Sequence, residues 1–260
     1  MTILKSLFPV CSRCQYIRSI IASASLIAAT IPWRAAAAET GLYNDKTTHK
    51  TGLYQITPPR GVGPEGVLVY FHGSGGGPTY ASHMELLARL AKPFNLAVVA
   101  VQAPDQQNSW AGELPRISAV NREYVHSLLD KVVYGAHPSW SRQRTVFVGV
   151  SAGSTFLSGD FLPDEIHNYQ GGAVLLCGGG SPLVSTAQYT ATLNATVRSN
   201  FRLYYVIQTG DFLYAQATAA MNQRKRRGLS VTGESPVGSG HCRFDLGKAL
   251  ESGLRYVFTR

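Results

Sequence analysis

The stretch "TVFVGVSAGSTFL", Thr145 to Leu157, decides the reading of this chain. It starts as a run of β-formers, Val146, Phe147 and Val148, and continues as a segment able to form a helix. Between the two stands Ser151, with Gly149 and Gly153 two residues to either side. A tight strand-to-helix turn crowds the backbone, so the residues flanking a serine held there must be small. The five residues fit G-x-S-x-G, a weak pattern alone. In this strand–turn–helix setting it lifts a hydroxyl above the edge of a sheet. The competing reading is a structural turn.

Apolar strands recur on both sides of this stretch. Gly66–Phe71 ends in the glycine-rich "FHGSGGG", Leu96–Gln102 follows, and "GGAVLLC", "NFRLYYVIQTGD" and a weaker strand near "GLSVTGE" come after Thr145. Helical segments are expected at Thr79–Ala91, Arg116–Tyr134, Ala152–Phe161, Ser185–Val197 and Phe212–Arg227, the second from Ile117, Val120, Tyr124, Leu128 and Val132. Near-continuous apolar strands alternating with helices predict a mostly parallel central sheet covered on both faces. "TGLY", at Thr40 and again at Thr51, reads as a hairpin of two edge strands rather than a repeat. Nothing marks a second domain, so 39–260 is expected to be one α/β unit.

A serine hydroxyl is a poor nucleophile near neutrality and needs a base, which in turn needs a group to orient it. Asp211 directly follows the strand "LYYVIQTG", and His241 lies in "VGSGHCRF" after the last expected strand. Parallel sheets present their site residues at the carboxyl ends of strands, which favours Asp211 as the acid. Asp245, just past His241, is its competitor. Asp160 and Asp164 fall at the far end of the helix that Ser151 begins. His49, His83, His126, His137 and His167 lie in positions that suit structural roles, and His72 reads as a prop for the glycine loop. Backbone N–H groups of Ser74 and Ala152 are the expected oxyanion donors, with Gly75 as the alternative to Ser74. The loop lacks the G-K-[ST] ending of a phosphate cradle. Trp110, in "APDQQNSWAGE" after the second strand, is placed to wall a substrate pocket, and core packing is the alternative.

"HGSGG" at 72–76, "GVSAG" at 149–153, Asp211 and His241, in that order, resemble the α/β-hydrolase superfamily over about residues 60–250. Within it, "HPSWSRQRTVFVGVSAGSTFL" resembles secreted polyhydroxybutyrate depolymerase-like and feruloyl-esterase-like proteins. The resemblance implies an α/β-hydrolase fold with little or no lid, a Ser151–His241–Asp211 triad, and hydrolysis of short acyl or aryl esters, small or polymeric, without a cofactor or metal. It departs from relatives that carry a cysteine just before the serine, where this chain has Val150. In those relatives a disulfide ties the serine turn to the histidine loop. Here the available partner for Cys242 is Cys177, at the end of "AVLLC", and the alternative is two free thiols.

The N-terminus differs from the rest. Lys5, Arg13 and Arg18 precede the apolar run Ser19–Ile31, followed by "PWRAAAAET". This is the grammar of a signal peptide cut after Ala38, and its apolar run is short for a stable membrane span. An uncleaved anchor is the alternative. Cys11 and Cys14 fall within it. Its loss takes the net charge from +9 to +5, which gives no reason to expect nucleic acid. Export to a secreted or periplasmic destination is the expectation. The run Arg224–Arg227 precedes Gly228 and reads as a solvated helix end complementing the helix dipole. The oligomeric state is not legible. A peptidase could use the same triad, and a non-catalytic binding protein could use the same fold.

Overall fold

The computed structural model describes residues 38–59, 63–107, 109–110, 115–180 and 195–259. The expected signal segment, 1–38, lies outside them except for Ala38. The expected helix from Ser185 falls outside them as far as residue 194, and so does part of the chain on which the absence of a lid would be judged. Among the described residues no helix is long and apolar enough to cross a membrane.

Eight strands form one sheet: β1 (Glu39–Asp45), β2 (Lys50–Thr57), β3 (Gly66–Phe71), β4 (Leu96–Val101), β5 (Thr145–Val150), β6 (Gly171–Leu176), β7 (Phe201–Val206) and β8 (Ser230–Glu234). Their order is β1-β2-β4-β3-β5-β6-β7-β8. The first two form the expected hairpin, with Leu42 opposite Leu53, and β2 pairs antiparallel with β4. From β4 to β8 every pairing is parallel. A parallel sheet needs a crossover between strands, and the helices that supply those crossovers bury both faces. That is why β3, β4 and β5 are apolar at nearly every position instead of alternating.

Side chains alternate across the sheet, so β3 sends Val67, Val69 and Phe71 to one face and Leu68 and Tyr70 to the other. The Phe71 face packs against α2 (Pro115–Leu128) and against α3 (Ala152–Phe156) with the π-helical turn Leu157–Phe161 and α4 (Leu162–Glu165) that continue it. The Leu68 face packs against α1 (Met84–Ala91) and the last helix, through Leu87, Ala91, Leu250, Leu254 and Val257. Between these, α5 (Ala195–Asn200) leads into β7 and α6 (Tyr214–Arg226) leads toward β8. The last helix, α7 (Leu246–Phe258), was not anticipated, although Leu246, Leu250, Leu254 and Val257 carry helical spacing.

The basic run at the end of α6 is not, as expected, a wholly solvated helix end. Lys225 and Arg226 are exposed, but Arg224 is only 5% exposed. Its guanidinium donates to Gly179 O at 3.1 Å, to Ser158 O and Oγ at 2.7 Å each, and to the Tyr205 hydroxyl. A planar fork of five donors can serve all four of these buried acceptors at once, where a lysine has only three N–H groups to give. Arg224 therefore ties α6 to the chain after β6 rather than solvating a helix end.

Candidate active site

Because β3 to β8 run parallel, the loops leaving their carboxyl ends share one edge of the sheet. Ser151 follows β5, the His72–Gly76 turn follows β3, Asp211 follows β7, and His241 follows β8. Residues far apart in the chain thus meet through topology alone.

Ser151 sits at φ +52°, ψ −114°, a conformation that costs an L-residue of order 1–3 kcal/mol and persists only where the surroundings impose it. The imposition is visible. Ser151 N–H donates to Leu176 O at 2.8 Å, and Thr155 N–H closes onto Ser151 O at 3.0 Å. A Cβ at Gly149 would lie 2.6 Å from Ser154 N, and one at Gly153 would lie 2.7 Å from His72 O. Both glycines are therefore demanded by backbone approach. Ser154, buried beneath the turn, accepts Leu176 N–H at 2.9 Å while its hydroxyl lies 2.6 Å from Gly149 O. It braces β5 against β6, and its place just after the motif carries no sign of that task.

Ser151 Oγ lies 2.7 Å from His241 Nε2, and His241 Nδ1 lies 2.8 Å from Asp211 Oδ2 and 3.0 Å from Oδ1. A carboxylate can only accept, so the proton belongs on Nδ1 and Nε2 is left to accept the serine hydroxyl. The Asp211 side chain is fully buried and also accepts Leu213 N–H at 2.9 Å and Cys242 N–H at 3.4 Å. Asp245, the competing acid, instead caps α7, its carboxylate accepting Lys248 N–H at 3.0 Å. His126 pairs with Glu165 and Asp130, and His137 stacks on Trp140 at 3.9 Å.

The glycine loop lies directly against the serine, since a Cβ on Gly73 would be 3.3 Å from Ser151 Cβ. Gly76 N–H closes the turn onto Gly73 O at 3.1 Å, with Gly75 at φ +78°. Ser74 Oγ meets Ser109 Oγ at 3.0 Å, joining this loop to the one after β4. Ala152 is the first residue of α3, where an N–H has no acceptor within its own helix. His72 holds the loop from below. Ala103 N–H donates to its Nε2 at 3.1 Å, which fixes the proton on Nδ1, donated to Gly73 O at 2.7 Å. Burial lowers its pKa, against the opposing pull of the Gly73 carbonyl, so the ring is neutral.

Trp110 does not wall a pocket. It is 0% exposed, its ring edge-on to Phe71 at 5.0 Å and stacked on Phe156 at 5.0 Å. A loop position beside the site left its direction open, and the aromatic cluster under β3 draws it inward.

Cys177 and Cys242 form a disulfide, Cα–Cα 5.3 Å. Both adopt positive φ, +47° and +56°. Together with His241 they are the sole group of potential metal ligands among the described residues, but the sulfurs are bonded to each other and both histidine nitrogens are engaged. Gln208 was also not anticipated. It is buried before Asp211, and its Oε1 accepts Arg243 N–H at 2.9 Å, holding the far side of the histidine loop.

No protein-family model and no curated protein matches the sequence. Solved structures do match its fold. A ferulic acid esterase superposes with a TM-score of 0.62 at 12% identity, covering 85% of this chain and 97% of its own. FphF, a fluorophosphonate-binding serine hydrolase of Staphylococcus aureus, gives 0.62 at 16%, covering 86% and 99%. The S-formylglutathione hydrolase FrmB of the same organism gives 0.60 at 14%, covering 85% and 98%. This is the α/β-hydrolase fold.

Proposed function

We propose that the protein is a serine hydrolase that cleaves carboxylic esters with short acyl or aryl groups, on small or polymeric substrates, through an acyl-enzyme at Ser151. The observation that carries this reading is the continuous relay from Ser151 Oγ through His241 to the buried Asp211, built on a serine held at positive φ. His241 Nε2 takes the hydroxyl proton as Oγ attacks the ester carbonyl, and Asp211 stabilises the imidazolium that forms. Negative charge then develops on the carbonyl oxygen. Ser74 N–H and Ala152 N–H receive it, the first supplied by the loop packed on Ser151 and the second by the helix start. His241 returns the proton to the departing alkoxide, and water repeats the sequence to release the acid. Esterases and serine hydrolases among the solved structures of like fold support ester over amide substrates.

The test is labelling with a fluorophosphonate, followed by turnover of p-nitrophenyl esters and peptide amides by wild type and Ser151→Ala. Labelling and ester turnover by the wild type alone are expected. An unlabelled wild type would point to a binding protein, and turnover of amides without esters would point to a peptidase.

We further propose that the protein is exported to the periplasm or medium. The basic and apolar N-terminus supports this, and so does the disulfide, which persists in oxidising compartments. The exported protein is expected to begin at Glu39 by N-terminal sequencing. Recovery of chains that retain Met1 in the membrane pellet would overturn it.

A further inference from the structure

Four large apolar side chains are exposed among the described residues. Leu42 and Leu53 face each other on the edge hairpin, far along the sheet order from Ser151. The other two flank the site. Phe212, 78% exposed, directly follows Asp211, and its ring lies 4.7 Å from the ring of His241 at a 42° tilt. Val237, 94% exposed, lies on the neighbouring loop, which accepts Thr209 N–H and Gly210 N–H through Pro236 O and Gly238 O. A single exposed aromatic needs no explanation in general. One packed on the general base of the site is placed where the reaction gives it a task.

The two sides of the tetrahedral carbon can be told apart. The proposed oxyanion loop reaches Ser151 from β3, on one side of β5. His241 and Phe212 reach it from the β7 and β8 loops, on the other side. The group that departs must take its proton from His241 Nε2, so the alcohol half of an ester leaves on the Phe212 side. An alcohol bearing an aromatic or other broad apolar group would cover the Phe212 ring as it bound. A methyl group would be too small to do so.

We infer that Phe212 is the leaving-group contact of this site, selecting esters whose alcohol portion is apolar and preferably aromatic. The inference rests on the ester reading above. The alcohol half has left before deacylation, so selectivity exerted through it is read in acylation, as kcat/KM.

The experiment compares wild type, Phe212→Ala and Phe212→Tyr on two ester series. One holds the acyl group as acetate and varies the alcohol from methyl to n-butyl to benzyl. The other holds the alcohol as methyl and varies the acid from acetate to butyrate to benzoate. In Phe212→Ala the preference for benzyl over methyl acetate, as a ratio of kcat/KM, is expected to fall about tenfold, the size of an aromatic contact plus its buried area. Phe212→Tyr should restore it, and the acyl series should keep its wild-type ratios. An equal fall on every ester would make Phe212 a support for His241 and overturn the inference. So would a change confined to the acyl series, or no change at all. Wild type that turns over none of these esters would overturn the ester reading itself, an outcome separate from any Phe212 effect.

Discussion

The backbone N–H of Cys242 donates to Oδ2 of Asp211 at 3.4 Å, the same oxygen that His241 Nδ1 meets at 2.8 Å. The residue that closes the disulfide therefore also touches the carboxylate that orients the imidazole. Cys177 anchors the other end of the bridge at the end of β6, where its N–H donates to Val206 O at 2.8 Å. The histidine loop is held by covalent and polar ties that converge within a few residues.

Replacing both Cys177 and Cys242 with serine is expected to cost about 4 kcal/mol of unfolding free energy, from the entropy of closing a loop between cysteines 65 positions apart. Guanidinium unfolding of the variant should match that of reduced wild type. Activity should fall as well, because the histidine loop loses its fixed end. A variant that unfolds at the wild-type midpoint would show that the ties through Asp211 and Gln208 suffice alone.

Asp211→Asn should separate orientation from folding. The amide keeps the approximate shape but can present an N–H to Nδ1, which favours the tautomer unable to accept the Ser151 proton. A fall in kcat of about 10⁴-fold is expected, with circular dichroism unchanged. Retained activity would return the acid's role to another residue.

The glycines of the serine turn can be tested by a single methyl group. At Gly153 a Cβ would press on the carbonyl oxygens of Phe71 and His72, neither of which can move without shifting β3. Gly153→Ala should therefore destabilise the fold by about 1–3 kcal/mol and displace the oxyanion loop. Ser154→Ala removes the acceptor of a buried Leu176 N–H and should cost a similar about 1–3 kcal/mol. Thermal unfolding measured beside kcat separates the two. Gly153→Ala should lower kcat more for its loss of stability, because only it presses on the oxyanion loop.

The parts legible in the sequence are those governed by chain order and backbone geometry. Gly149 and Gly153 announce a turn that only small residues fit, and Asp211 and His241 follow strands whose parallel pairing brings their carboxyl ends together. The parts that were not legible depend on which way a side chain turns. Trp110 lies in a loop beside the site, and only the packing of Phe71 and Phe156 determines that its indole points inward. Arg224 shares its run with exposed Lys225 and Arg226, and no pattern in that run marks the carbonyls of Ser158 and Gly179 that bury it. Asp245 carried a readable signal as the cap of α7, but its place three residues after Cys242 made it look like part of the site.

His72 stands outside the relay, beneath the glycine loop. Its ring is buried and neutral, with Nε2 occupied by Ala103 N–H, and burial is the main reason its pKa is lowered. In the unfolded chain the same imidazole titrates at about 6.5. As pH falls through that value the unfolded state gains a proton that the folded state does not, so stability is lost toward acid. The loss should run from about pH 7 downward until the folded pKa is reached. Other groups titrate in this range, so the comparison must be a difference. Unfolding free energies of wild type and His72→Asn, measured from pH 8 to pH 5, should converge as pH falls, because only the wild type carries the buried imidazole. At pH 8 the variant should be less stable, having lost one or both backbone contacts. It should also lose activity about 10²-fold or less, since the Gly73–Ser74 turn loses its support while its N–H groups remain. A constant gap between the two stability curves across that range would mean that His72 takes up its proton within the fold.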